Sequence, residues 1–280
     1  DFCLSRGLGD VYKRQVQEAR LLVSDIDGSH PEVYTIKRQN WGLPVVNVNG
    51  TWWCKYNLRG NVKNYSDQIL INNDPVPDEQ NVFEYLKTCS DEELLNIMGD
   101  QYQAGNPEGL KLTHDGSRFY YEGYRTTVSG NFGTMLPTEM APDGYQIPNY
   151  NNYRFFAWGD NCNLGYSEWG VFNNNLGQRM NYSVAERSLT VDGVRYGTLG
   201  LYDFVYENTH WAIFGWGHQY NEQEIAPMAI LLATYGNAGS SWQLEGYPKS
   251  DGRGNWIKFG GQNSSKTRTI RCVKTPVEYI

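Results

Sequence analysis

Alternation of apolar and polar residues predicts a β-hairpin early in the chain. Valine and asparagine alternate through VNVN (46–49). The dipeptide Asn49-Gly50 follows, which favours the tight turn of a two-residue hairpin. Residues 51–55 then read as the returning strand.

The segment 75–101 has the strongest helical pattern. Asp78 is predicted to cap a first helix, and Ser90 with Glu93 forms a capping box for a second helix that ends at Gly99. The residues expected to face the core are Val82, Tyr85 and Leu86 in the first helix and Leu94, Leu95 and Met98 in the second.

A third short helix is predicted over 150–158, with Asn149 as its N-cap. Its expected inner residues are Tyr153, Phe156 and Ala157. After residue 200 the pattern becomes mostly β, with aromatic and alternating runs typical of strands. Neither an internal repeat nor a low-complexity linker occurs in the sequence, which favours one domain.

The composition narrows the class of protein. The 280 residues include 9 Trp, 21 Tyr and 30 Gly, with only 20% charged residues and a net charge of -7. This mixture is common in extracellular, loop-rich β proteins and in carbohydrate-binding proteins. The absence of a basic block argues against nucleic acid and anionic membranes as partners. No apolar run approaches the ~18 residues of a membrane span.

The N-terminal stretch SRGLGDVYKRQ (5–15) lacks the apolar periodicity of a helix or a strand. It also lacks the basic start, apolar core and small residues that follow one another in a secretory signal. It resembles the translation of a transposon-end adapter used to make sequencing libraries. We therefore expect residues 1–15 to be a translated adapter and not native protein; a disordered native tail is the alternative. Residues 16–45 are then the first strands of this domain or the end of an upstream one.

Four cysteines remain once Cys3 is set aside: Cys54, Cys89, Cys162 and Cys272. They form no CxxC motif and no cluster with histidine, so we expect no zinc site. Two disulfides in an exported protein and four free buried thiols are both open readings.

Three landmarks occur in order along the chain: NVNGTWWCKYNLRG (47–60), APDGYQIPNYNNYRFF (141–156) and RTIRCVK (268–274). Together they resemble the Fibrobacter succinogenes major paralogous domain family over about residues 46–280. The matching residues are Trp53, Asn57 and Leu58 in the first, Pro142, Gly144, Tyr145, Ile147 and Pro148 in the second, and Ile270, Arg271, Cys272 and Val273 in the third.

This resemblance implies an α+β fold: an irregular C-type-lectin-like domain with few short helices, short antiparallel strands and long loops. It also implies a secreted or envelope protein of a Bacteroidetes-like bacterium. The family cysteine before Pro-x-Gly is Ala141 here. If Cys272 normally pairs with that cysteine, it has lost its partner or uses Cys162 or Cys54.

Catalytic candidates are few. The resemblance also implies a relation to formylglycine-generating enzymes, which use a pair of cysteines near the C-terminus. This chain has only Cys272 there, so the resemblance does not imply that activity. The histidines are His30, His114, His210 and His218; the last two flank a strand, where we expect ordinary polar residues. A glycosidase needs two facing carboxylates, and Asp203, Glu207 and Glu168 are the candidates. We predict no cofactor and no metal.

An aromatic group is the strongest binding candidate. Aromatic faces pack on the CH-rich faces of sugars. Trp211 and Trp216 have opposite parity along a regular strand, so one is expected to face the core unless a bulge at Gly215 resets the register. The candidate ligand-binding residues are Trp211, Trp216, Trp158, Trp169 and Tyr220.

The leading hypothesis is a non-enzymatic, surface-exposed recognition or adhesion domain of a gut-type bacterium that binds a glycan or a surface protein. Its expected location is extracellular or at the cell surface. One alternative is a phage tail receptor-binding protein on the same scaffold. Another is a carbohydrate-active enzyme.

Overall fold

The structure is a computed structural model that describes residues 17–38, 42–77, 80–156, 161–227, 230–236, 241–247, 249–252, 254–262 and 264–276. Residues 1–15, which we predict to be an adapter, lie outside this described part, and so does the candidate Trp158.

The strands are numbered in chain order. The first nine are β1 Gln17–Val23, β2 Glu32–Arg38, β3 Val45–Val48, β4 Thr51–Cys54, β5 Leu112–His114, β6 Phe119–Tyr121, β7 Tyr145–Gln146, β8 Asn161–Gly165 and β9 Trp169–Asn173. The others are β10 Arg179–Val191, β11 Val194–Tyr206, β12 Thr209–Phe214, β13 His218–Gln219, β14 Ile225–Ala226, β15 Ile230–Thr234, β16 Ser241–Tyr247, β17 Asn255–Gln262 and β18 Val273–Lys274.

Helices are short. The α-helices are α1 Val82–Thr88, α2 Asp91–Met98 and α3 Tyr150–Arg154, and the 3-10 helices are Tyr65–Asp67, Ile71–Asn73 and Lys249–Asp251. None of the described helices is long and apolar enough to cross a membrane.

The predicted local signals for the hairpin and for α2 are confirmed. Asn49 and Gly50 have φ of 48° and 83°, the pair of positive values that a type I′ turn between β3 and β4 requires. The Ser90 hydroxyl accepts from the Glu93 N–H at 3.2 Å, and the Glu93 carboxylate accepts from the Ser90 N–H at 2.8 Å. Gly99 ends α2 with φ 76°. In α2 the predicted inner residues Leu94 and Met98 are buried, and Leu95 is half-buried.

The first and third helices differ from prediction in their ends. Asn81 caps α1 by accepting from the Glu84 N–H at 2.8 Å, and Asp78 lies outside the described residues. Within α1, Val82 and Leu86 are buried and Tyr85 is half-buried. Asn149 caps α3 as predicted. The predicted inner residues Tyr153 and Phe156 are buried, and Ala157 lies outside the described part.

The strands pair antiparallel in six sheets among the described residues. Three sheets have four strands, in the orders β12-β11-β10-β9, β15-β16-β17-β8 and β3-β4-β18-β7, and three have two strands, β1-β2, β5-β6 and β13-β14. We call the first of these the long-hairpin sheet, because β10 and β11 are 13 residues each.

The predicted α+β, C-type-lectin-like fold class is wrong. Strands make up 40% of the described residues and helices 12%, in several antiparallel sheets, which is closer to a β-sandwich. The long-hairpin sheet buries one face against strands of the β15-β16-β17-β8 sheet. The core between them includes Met180, Tyr182, Phe204, Ile213, Ile230, Leu232 and Ile257. The resemblance implied short strands, whereas residues 179–206 form a long hairpin that supplies one layer of this core.

The three sequence landmarks meet in the β3-β4-β18-β7 sheet. Val273 of β18 pairs with Trp53 of β4 on one side and with Gln146 of β7 on the other. Segments that are more than 200 residues apart in sequence are therefore neighbours in one sheet. This sheet closes over a separate core that includes Leu58, Tyr145, Ile270 and Cys272.

Candidate functional site

Strand register aligns several chemistry-bearing residues on the outer face of the long-hairpin sheet. Trp169 pairs with Ser183, Ser183 with Asp203, and Asp203 with Ala212. Directly paired residues of antiparallel strands project from the same face. These four residues therefore form one row across β9, β10, β11 and β12.

A second row lies beside the first on the same face. Its members are Val171, Asn181, Val205 and His210. Successive strands are about 4.8 Å apart, so each row spans roughly 14 Å. The two rows place an indole, a carboxylate, an imidazole, an amide and a hydroxyl on one surface.

Helices cover only one half of this outer face. Arg187 of β10 donates to the carbonyl oxygen of Leu86 at 2.6 Å and to Asp91 Oδ1 at 3.1 Å, which holds α1 and α2 over the far ends of β10 and β11. The two rows lie mostly in the other half, with Asp203 and Ala212 buried at its boundary beside the start of α1. There Trp169 is 77% exposed and Val171 is 48% exposed. We call this the open half of the sheet.

Asp203 and His210 form a hydrogen-bonded pair in the open half. Asp203 Oδ2 and His210 Nδ1 are 2.7 Å apart, and the side chains are 4% and 42% exposed respectively. The hydrogen bond to Asp203 is the main cause that raises the pKa of His210 above its ordinary value; burial opposes it. Because Nδ1 faces a carboxylate, it carries the proton, which leaves Nε2 as the outward nitrogen.

Asn81 supplies an amide beside this pair. Its Oδ1 is occupied by the helix cap, and its Nδ2 lies 3.3 Å from His210 Nδ1. A protonated Nδ1 cannot accept from that amide. The Nδ2 donor of Asn81 is therefore available to a third group.

Two depressions follow the first row on either side of the start of α1. We call the first the groove; it encloses about 580 Å³, and its lining includes Glu84, Lys87, Glu168, Trp169, Ser183 and Lys249. We call the second the cleft; it encloses about 360 Å³, and its lining includes Lys55, Asn81, Asp203, Thr209, His210 and Ala212. Since Ser183 and Asp203 are cross-strand partners, the two depressions are adjacent.

The lysines of both depressions are paired with carboxylates. Lys55 Nζ lies 3.2 Å from Asp74, Lys87 Nζ 2.7 Å from Glu84, and Lys249 Nζ 2.8 Å from Glu168. The pairing neutralises the rim, so the surface does not present a concentrated positive charge to an anion.

The aromatic candidates separate into core and surface residues. Trp211 is buried, and its ring stacks on that of Phe156 with a centroid distance of 4.0 Å. Trp216 is buried on the opposite side of the sheet, in the cluster that includes α1 and α2. Both faces of β12 are covered, so opposite parity puts both rings in a core. At 1% and 5% exposure, neither residue offers a ligand a ring face as Trp169 does.

Two of the aromatic candidates in the described part of the chain are accessible. Trp169 lies at the edge strand of the open half. Tyr220 is half-buried, with its ring 5.6 Å from that of His218, on a different part of the surface. Among the described aromatic candidates, Trp169 is the one that shares a sheet face with the carboxylate candidate Asp203.

The carboxylate and histidine candidates also separate. Asp203 and His210 come together, which the sequence did not indicate. Glu207 lies exposed in the two-residue turn between β11 and β12. His218 is buried, and burial lowers its pKa to about 3. His30 forms an exposed pair with Asp25, and His114 lies against Phe119.

Sequence reasoning missed Asn81 and Ser183. Asn81 acts locally as a helix cap, and Ser183 is one polar position of a long strand. Strand register brings Ser183 beside Trp169 and Asp203, and the packing of α1 on the sheet brings Asn81 to His210; neither arrangement has a local signal.

Among the described residues there is no group of three or more His, Cys, Asp or Glu side chains that could hold a metal ion. No protein-family model matches the chain, and neither do any curated protein or solved structure. The resemblance to the major paralogous domain family stays a prediction.

Proposed function

We propose that this chain is a non-enzymatic recognition domain that binds a neutral glycan on the open half of the long-hairpin sheet. The single observation that carries the proposal is Trp169, a tryptophan 77% exposed on the same face and in the same row as Ser183 and Asp203. An extracellular or cell-surface location is part of the proposal.

An exposed indole of this kind suits a sugar ring. Its flat apolar face can pack on the CH groups of a pyranose, while hydroxyl, amide and carboxylate groups beside it hydrogen-bond the sugar hydroxyls. Ser183, Asn181 and Asp203 supply those three groups on the same face. The fold does not need the exposed ring for its core, which favours a binding role.

The charges favour a neutral ligand. Each lysine that lines the groove or the cleft is paired with a carboxylate. The buried Asp203 carboxylate would repel an anion. A phosphate or a strongly acidic glycan is therefore a poorer match than a neutral one.

A glycan also suits the open half better than a protein surface does. Stable protein interfaces bury about 800 Å² per partner, with an apolar, charge-depleted centre. In the open half the exposed apolar residues are Trp169 and Val171, and charged side chains flank them closely. Such a narrow apolar strip matches the width of a sugar chain.

The carboxylate positions do not favour the hydrolase alternative. Asp203 is buried within β11 and lines the cleft, whereas Glu207 is exposed in the turn after β11 and is not among the residues that line the cleft. Paired glycosidase carboxylates lie roughly 5–10 Å apart. Glu168 is ion-paired with Lys249.

A glycan array with purified full chain tests the proposal. We expect the wild-type chain to bind at least one neutral glycan, and Trp169→Ala to weaken that binding about tenfold or more. Burying one ring face of roughly 60–100 Å² at ~25 cal/mol per Å² is worth about 1.5–2.5 kcal/mol. Trp52→Ala is the matched control, because Trp52 is 46% exposed on the β3-β4-β18-β7 sheet.

The proposal fails if the wild-type chain binds no glycan on the array. It also fails if Trp169→Ala and Trp52→Ala bind as the wild type does. Equal losses in both variants would indicate nonspecific adhesion to exposed tryptophans.

A further inference from the structure

The cleft contains a buried carboxylate oxygen without a partner. Asp203 Oδ2 is bonded to His210, but Asp203 Oδ1 has no hydrogen-bond partner among the described residues. A buried carboxylate with an unpaired oxygen is costly, and native proteins normally satisfy such atoms. Asp203 lines the cleft, so a group that enters the cleft can supply the missing donor.

The atoms around Asp203 form a complementary set. Asp203 Oδ1 accepts, Asn81 Nδ2 donates, and His210 Nε2 accepts when the ring is neutral and donates when it is protonated. Neighbouring hydroxyls of a sugar both donate and accept, so they can use such a set together. An ammonium group only donates, so it would use only part of this set.

The cleft lies beside the Trp169 surface along the first row. Trp169 and Asp203 belong to one row and are two strands apart, about 10 Å. That distance exceeds one pyranose ring and is matched by linked rings. The row runs across the strands, so a chain that stacks on Trp169 and follows the row reaches the cleft.

We propose that the cleft is a second sugar subsite, and that the ligand is a neutral oligosaccharide. One ring stacks on Trp169, and the hydroxyls of another ring bond to Asp203, His210 and Asn81. This inference rests on the proposed function. It adds that the ligand has at least two linked rings, and it names the residues that hydrogen-bond to the second one.

A metal ion is a poorer occupant. Within the described part of the chain the cleft offers one carboxylate and one histidine, and histidine Nδ1 is already used by that carboxylate. An anion is disfavoured by Asp203 itself. A neutral polyol uses the unpaired oxygen without adding charge to the site.

Calorimetric titration tests the inference with defined probes. The probes are glucose, xylose, mannose and galactose, and the α- and β-linked di- and trisaccharides of each. The variants are Asp203→Asn and His210→Gln, beside the wild type and Trp169→Ala. His30→Gln is the matched control, since it removes another His–Asp pair, with Nδ1 to Asp25 Oδ2 at 2.8 Å, on the β1-β2 hairpin.

We expect an oligosaccharide to bind the wild type at least tenfold more tightly than its monosaccharide. Asp203→Asn and His210→Gln should each weaken oligosaccharide binding about tenfold, as loss of a hydrogen bond to a charged or buried group implies. His210→Gln should leave monosaccharide binding unchanged, because that binding depends on Trp169 and the polar groups of its row. His30→Gln should match the wild type.

The outcomes separate the two proposals. Equal affinity for monosaccharide and oligosaccharide, or wild-type binding by both cleft variants, overturns the second subsite while binding through Trp169 stands. A wild-type chain that binds no probe overturns both. If Asp203→Asn does not fold, His210→Gln decides, since its side chain is 42% exposed and its loss does not disturb a core.

Discussion

Arg271 Nε donates a hydrogen bond to Asn57 Oδ1 at 2.8 Å, between residues 214 positions apart in sequence. The guanidinium also donates from Nη1 to the carbonyl oxygen of Ala212 at 2.8 Å and lies 4.4 Å from the ring centre of Phe214. Arg271 is fully buried, and burial lowers its pKa to about 10. Its described partners are neutral oxygens and aromatic rings. Arg271 therefore links the landmark 268–274 to the landmark 47–60 without an ion pair to a carboxylate.

Arg271→Met should lower the free energy of unfolding by about 3 kcal/mol. The change leaves buried oxygens of Asn57 and Ala212 without a donor, and each such loss costs about 1–3 kcal/mol. Urea unfolding followed by circular dichroism measures the effect. Arg179→Met, at an exposed position of β10, should stay within about 0.5 kcal/mol of the wild type. Similar stability of both variants would mean that the Asn57 contact is not part of the core.

The thiols of Cys54 and Cys272 should be unreactive in the folded protein. Both are free and buried; burial raises the pKa of Cys54 to about 12 and that of Cys272 well above its ordinary value. At pH 8 a thiol with pKa 12 is about one part in ten thousand thiolate, the form that is alkylated. Iodoacetamide labelling with peptide mass mapping should modify both only after unfolding. A peptide linked through Cys54 and Cys272 in untreated protein would contradict this state.

Trp169→Ala and Trp211→Ala should have opposite consequences. Trp211 stacks on Phe156 and lies 4.5 Å from the ring of Trp53, so its truncation should cost about 3–5 kcal/mol of stability. Trp169 is exposed, and its truncation should change stability by less than about 0.5 kcal/mol. Thermal and urea unfolding of both variants provide the comparison. Marked destabilisation by Trp169→Ala would mean that the ring packs against the rest of the protein and is not available for ligand binding.

Local signals were sufficient for some elements and not for the architecture. Asn49-Gly50 and the Ser90–Glu93 box act over a few residues, so their geometry follows from the sequence nearby. β11 has no such signal. Its middle is covered by the sandwich core on one face and by α1 on the other, so buried residues follow one another instead of alternating. The fold class therefore depended on a resemblance that described a different arrangement.

The candidate site had the same limit. Trp169 was identified as a binding candidate, but the sequence indicated Trp211 and Trp216 as candidates of the same kind, although those two are buried. The sequence around an aromatic residue in a strand is similar whether that face of the sheet is covered by another layer or exposed to solvent. What distinguishes them is the layer that packs on each face, which is a property of the assembled sheets.

The two histidines near the ends of the strand HWAIFGWGH should affect stability with opposite pH dependence. Burial, with smaller contributions from Lys266 and Arg268, lowers the pKa of His218 to about 3. The unfolded chain then binds the extra proton below pH ~6.5, so His218 lowers stability as pH falls, by up to about 1.4 kcal/mol per pH unit. His210 has its pKa raised by Asp203, so its contribution is present below pH ~6.5 and is lost as pH rises through the raised value.

Urea unfolding between pH 4 and pH 9 separates these contributions by variant. His218→Gln should flatten the fall in stability between pH 6.5 and pH 4, whatever its effect at neutral pH. His210→Gln should remove the decline above pH ~6.5, because the variant has no imidazole to lose a proton there. An acid limb of the same slope in His218→Gln and wild type would contradict a neutral, buried His218. An unchanged alkaline limb in His210→Gln would show that the hydrogen bond to Asp203 does not hold a proton in the folded state.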